Sequence, residues 1–147
     1  MFADLLRKLT GTHDDTTLDA SDARLAIAAL LVRVARADDL YQADEVARID
    51  AVLRRRYNLI EADAVALRVE AESLEAQASD TVRFTRLIKD AVPYEDRDAV
   101  IEAMWYVALA DESRTEDENA LLRMVTNLIG VSDRDSALAR QRAANSL

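Results

Sequence analysis

Two stretches of the chain, VARADDLYQADEVARIDAVL and VALADESRTEDENALLRMVT, fall over one another at a constant offset: Asp111 occupies in the second the place of Asp38 in the first, and 111 − 38 = 73. The same register aligns Val34 with Val107, Ala35 with Ala108, Ala37 with Ala110, Asp44 with Asp117 and Glu45 with Glu118. After a gap of one residue Asn58 meets Gly130 and Leu59 meets Val131, so the punctuation repeats along with the composition. A chain that uses one supersecondary unit twice must bury the apolar face of each copy, and that restricts it to a few packed architectures. The two units are expected at about residues 21–79 and 94–146 of one domain, behind an N-terminal helix and linker over residues 1–20.

The unit is helical. Two glycines and one proline in 147 residues are too few for the turns of a β-sandwich, and half of the residues are hydrophobic. Phe2, Leu5, Leu6 and Leu9 predict a short amphipathic helix over residues 2–9 that ends near Gly11. Further helices are predicted over residues 22–37, 43–57, 61–79, 81–92 and 95–110. Thr115 and Glu118 then have the spacing of a capping box, ahead of a helix that runs to Ile129 with Gly130 behind it, and Ser132 starts the last helix. The expectation is an all-α helical bundle of seven to eight helices with an internal two-fold repeat. Residues 22–37 and 95–110 form its central pair, with Leu30, Val34, Met104, Trp105 and Val107 as inward positions.

Composition excludes several functions. There is no cysteine, so no disulfide or thiolate metal site can form, and the cytoplasm is the expected compartment. The N-terminus is too short and too charged for a secretory signal, and no apolar run approaches the length of a membrane span. A net charge of −9 repels nucleic acid and anionic lipid and favours cations or basic partners. His13, the single histidine, lies in a polar linker, which leaves histidine-based catalysis without support, and no Glu-x-x-His pair is present for a di-iron centre. Arg54, Arg55 and Arg56 close a helix, where they complement its dipole, and do not mark a phosphate site. No enzyme is expected.

What the composition leaves is the acidic loops. Each unit carries Ala-Asp-acid-x5-Glu, with Asp38, Asp39 and Glu45 in the first and Asp111, Glu112 and Glu118 in the second. An acid in the first turn of a helix is stabilised by the dipole, by about 0.3 to 1 kcal/mol, and this capping role suits Glu118 with its Thr115. It suits Glu45 less, because Gln42 is a poor N-cap. It fails for Asp38 and Asp111, which stand at helix C-termini where the dipole disfavours carboxylates. The six acids are therefore the candidate ligands of a divalent cation, and an all-carboxylate set favours the hard ions Ca²⁺, Mg²⁺ or Mn²⁺. The loops are not EF-hands, since Ile49 and Leu122 stand where the closing bidentate Glu would be. The alternative is a protein partner: a scaffold whose acidic face docks a basic protein without metal.

The loops ARADDLYQADE and ALADESRTEDE, each between an Ala-rich apolar helix and an amphipathic one, resemble the TerB-like domain of tellurite-resistance proteins over about residues 20 to 145. The resemblance implies an all-helical fold whose acids gather on one face and bind divalent cations, in bacterial stress or tellurite resistance and without a settled enzymatic activity. Asp38 with Glu45, and Asp111 with Glu118, match the first and last acids of the family's Asp-Gly-x5-Glu loop, while Asp39 and Glu112 replace its glycine.

Overall fold

The eight residues from Leu25 to Val32 include no polar side chain, and a helix that is apolar around its whole circumference must be surrounded on all sides. They form the middle of α1 (Ala20–Ala35), and none of the eight is more than 5% exposed. The structure is a computed structural model that describes the backbone of residues 20–37, 41–78, 80–110 and 116–145, and the side chains of all of these but 20 and 116–118. Around α1 lie α2 (Ala43–Tyr57), α3 (Glu61–Gln77), α4 (Thr81–Ala91), α5 (Arg97–Ala108) and α6 (Glu116–Ile129), and α7 (Asp133–Asn145) packs on α5 and α6. A single 3₁₀ turn, Tyr94–Asp96, precedes α5. The fold is all-α, with seven helices and no strand among the described residues. The helix expected over residues 2–9, its linker and His13 lie outside the described residues.

The most extensive packing is of α1 on α3 and of α5 on α7, the corresponding pairs of the two units. The units meet where α1 lies against α5, while α4 packs against both α1 and α6 and so joins one unit to the other. Helix ends recur at the spacing read from the sequence: α1 and α5 finish at Ala35 and Ala108, and α2 and α6 begin at Ala43 and Glu116, 73 residues apart in each case (108 − 35, 116 − 43). Both second helices stop in the same way. Asn58 (φ 53°) and Gly130 (φ 88°) are the two residues with positive φ among those described, and the next amides, of Leu59 and Val131, reach back to the carbonyls of Arg54 and Thr126. That is the Schellman closure, and it uses the two residue types that enter left-handed backbone at least cost.

Several boundaries differ from the sequence reading. Residues 36–37 form a turn and do not continue α1, and α5 starts at Arg97, because the residues after Pro93 take up the tighter 3₁₀ turn first. Asp80, which the sequence reading passed over, caps α4 by accepting from the Arg83 amide at 3.1 Å. Leu30, Val34, Met104 and Val107 are fully buried as expected. Trp105 is not the core plug that was expected. Its ring is partly buried against the core edge, its indole N–H donates to Ser136 Oγ at 3.1 Å, and Arg140 covers its face at 5.0 Å. A polar N–H needs a partner, and that draws the ring to the rim.

Candidate functional site

Glu45 is the one expected site residue whose side chain is described, and it is fully buried. It sits in the first turn of α2, and its Oε1 accepts from the backbone amide of Gln42 at 3.2 Å. This is the reciprocal half of a capping box, so the capping role fits Glu45 better than the identity of Gln42 suggested. The dipole and an N–H bond both favour its charge, and burial opposes it. Asp38, Asp39, Asp111 and Glu112 lie outside the described residues, as does Thr115 of the second capping box. Glu118 belongs to the first turn of α6, and its side chain is not described. Among the described residues no three His, Cys, Asp or Glu side chains gather closely enough to hold a metal ion.

The frame around the first loop is a set of ion pairs that the sequence reading missed. Arg36, on its N-terminal side, pairs with Glu75 Oε2 on α3 at 2.9 Å, and Tyr41, on its C-terminal side, donates its hydroxyl to Glu72 Oε2 at 2.6 Å. The Arg36 guanidinium also lies over the Tyr41 ring at 4.9 Å. Both flanks of the loop are thus fastened to one helix. Arg68 bridges Asp50 of α2 (2.6 Å) and Glu72 of its own helix (3.0 Å), and Arg33 reaches Glu75 Oε1 at 3.4 Å. Arg33 further donates to Thr81 Oγ1 and to the carbonyls of Glu75 and Ala78, which pins the α3–α4 corner to α1.

Burial pushes the Tyr41 phenol well above its usual range, and the hydrogen bond to Glu72 and that residue's negative charge add to the rise. For Arg68 burial works downward, but the bonds and charges of Asp50 and Glu72 outweigh it and hold the guanidinium above its ordinary value. Three guanidinium groups, of Arg33, Arg36 and Arg68, thereby answer the three carboxylates of Asp50, Glu72 and Glu75. Those carboxylates are committed to arginine. One further contact links the units here: Arg48, one turn along α2 from Glu45, donates to the carbonyl of Tyr106 at 2.8 Å near the end of α5, and its guanidinium lies 5.0 Å from that residue's ring. Of this frame only Arg68–Glu72 had a local signal, the i,i+4 spacing on a helix. The other pairs span 18 to 42 residues of sequence and carry no pattern.

An all-α bundle that repeats helix, loop and helix, with acids in the repeated loops, defines a helical domain of two related units. The family profile of tellurite resistance protein TerB matches residues 24–141, and the chain belongs to the TerB family. Neither the curated proteins nor the solved structures include a match to this chain. No helix among the described residues is long and apolar enough to cross a membrane.

Proposed function

We propose that this TerB-family domain is a non-enzymatic cation binder of the cytoplasm, which holds Ca²⁺, Mg²⁺ or Mn²⁺ through Asp38, Asp39, Glu45, Asp111, Glu112 and Glu118 and serves a stress or tellurite-resistance response. The observation that carries the reading is Glu45: a wholly buried carboxylate in the helical turn that follows Asp38 and Asp39. Taking a carboxylate out of water is expensive, and a bound cation offsets that cost. The donor set fits the ion, because carboxylate oxygens without sulfur or imidazole select hard cations. The clamp on both flanks of the first loop, through Arg36 and Tyr41, supports it further by limiting the ordering that binding would require. The contact of Arg48 with Tyr106 agrees with two loops that share a face.

Melting in chelator and in millimolar Ca²⁺, Mg²⁺ or Mn²⁺ tests this. At about a hundred times its dissociation constant an ion adds roughly 2.7 kcal/mol, a rise of about 5 to 10 °C for a domain of this size. Asp38→Asn combined with Asp111→Asn should remove that rise and leave the metal-free protein at least as stable as wild type, since carboxylate repulsion is relieved. A melting temperature that is the same with chelator and with each ion rejects cation binding. The second reading, an acidic scaffold for a basic partner, rests on the net charge of −9 and predicts only a weak response that follows ionic strength.

A further inference from the structure

The two units treat one arginine differently. Arg68 and Arg140 hold the same place on α3 and α7, 72 residues apart (140 − 68), as Ala64 and Ser136 do, or Ala71 and Ala143, all buried. In the first unit Arg68 is neutralised by Asp50 and Glu72. In the second, the residue that corresponds to Asp50 is Arg123 and the residue that corresponds to Glu72 is Ala144. At the offset of 73 read from the sequence, Ile49 and Leu53 correspond to Leu122 and Thr126, and all four are buried. Both carboxylates that answer the arginine are therefore missing, and a second guanidinium stands in place of one of them.

Arg123 and Arg140 line one open groove between α5, α6 and α7, together with Trp105, Asn119, Asp133 and Ser136. Both arginines are exposed, and among the described residues neither makes an ion pair. Two like charges on one groove repel, in a protein whose net charge of −9 supplies acids in abundance elsewhere. Arg140 is also held in place: it lies over Trp105 at 5.0 Å, and the ring is fixed by its bond to Ser136. A stacked guanidinium whose edge meets no acid among the described residues is preorganised for a carboxylate, because less rotamer freedom is lost on binding.

We propose that this groove docks an acidic segment of a partner protein, one of whose Asp or Glu carboxylates takes between Arg123 and Arg140 the place that Asp50 takes beside Arg68. A carboxylate is favoured over phosphate because the sister unit shows the slot filled by a carboxylate, and because Asp133 on the groove wall repels a dianion more strongly than a single negative charge. The site works against the net charge of the chain, so binding there is local recognition and not bulk attraction.

Trp105 is the only tryptophan and reports on the groove directly. Titration with a hexaglutamate peptide at low ionic strength should change its fluorescence saturably. Arg123→Asp refills the slot from within, as Asp50 does, and should weaken the peptide at least ten-fold while the melting temperature stays level or rises. Arg123→Gln should show the same loss of binding without the rise, which keeps the test valid if the aspartate variant folds poorly. Arg86→Asp, an exposed position on α4 outside the groove, removes the same charge and should leave binding within two-fold. An unchanged Trp105 signal, equal binding by Arg123→Asp, inorganic phosphate as effective as the peptide, or concentration-dependent self-association in sedimentation would each overturn the proposal.

Discussion

Tyr41 couples the stability of the first loop's frame to alkaline pH. Its phenol is partly buried and donates to Glu72, so the folded protein holds that proton more tightly than the unfolded chain does. A group whose folded value is raised contributes its full stability below the unfolded value, near pH 10 for tyrosine, and loses it as pH climbs toward the folded one. Tyr41→Phe should accordingly cost about 1 kcal/mol at neutral pH, the loss of one hydrogen bond to a charged acceptor at a partly exposed site. The gap to wild type should close above about pH 10; urea melts at pH 7 and above pH 10 measure it, and a gap that stays constant would show that the bond does not control the titration. Little of this was legible in the sequence. Tyr41 and Glu72 are 31 residues apart, and nothing local couples a tyrosine beside an acidic loop to a glutamate on α3, with the whole of α2 between them. Glu45 was legible as an acid at the right spacing, but its burial was not, because burial depends on what the rest of the chain lays over it. Trp105 was misplaced for the same reason: apolar periodicity puts a side chain on an inward face without saying how far in it goes.

Helix ends were better read than helix contents. Asn58 and Gly130 were aligned from the sequence as terminators, and both hold left-handed backbone at the ends of α2 and α6. The signal was strong because few residue types tolerate that conformation. Gly130→Ala should therefore cost about 1 to 2 kcal/mol, a fall of roughly 3 to 8 °C in melting temperature. The cost comes from backbone strain and not from crowding, since an added Cβ would meet Lys89 Cε at 3.6 Å, an ordinary contact. Asn58→Gly should be close to neutral, because it relieves strain while loosening the unfolded chain. If the alanine variant melts with wild type, the left-handed turn does not limit the stability of this corner. The starts of α4 and α5 were read less well. Asp80 is a strong N-cap type, but one polar residue among several in a connection gives no unique start, and the 3₁₀ turn after Pro93 has the composition of a helix.

At the scale of the whole molecule the repeat was the most legible feature, because helix ends and terminators coincide at the spacing the sequence shows. The open groove of the second unit was not legible, since it becomes visible only when the ion pairs of the first unit are known. The repeat does not make two independent halves. α1 lies against α5, and α4 holds α1 and α6 together, so neither unit buries its apolar face alone. Calorimetry should show one transition whose calorimetric and van't Hoff enthalpies agree; two transitions, or a ratio near one half, would mean that the units melt separately. The position of α1 has a further consequence, for synthesis. It is the first of the described helices to leave the ribosome, and α5, which covers one of its sides, is complete only at Ala108, 73 residues after Ala35. At about 5 to 20 residues per second, the apolar helix waits roughly 4 to 15 s with that side bare, and through that interval it is a target for any chaperone or aggregating chain that reaches it first.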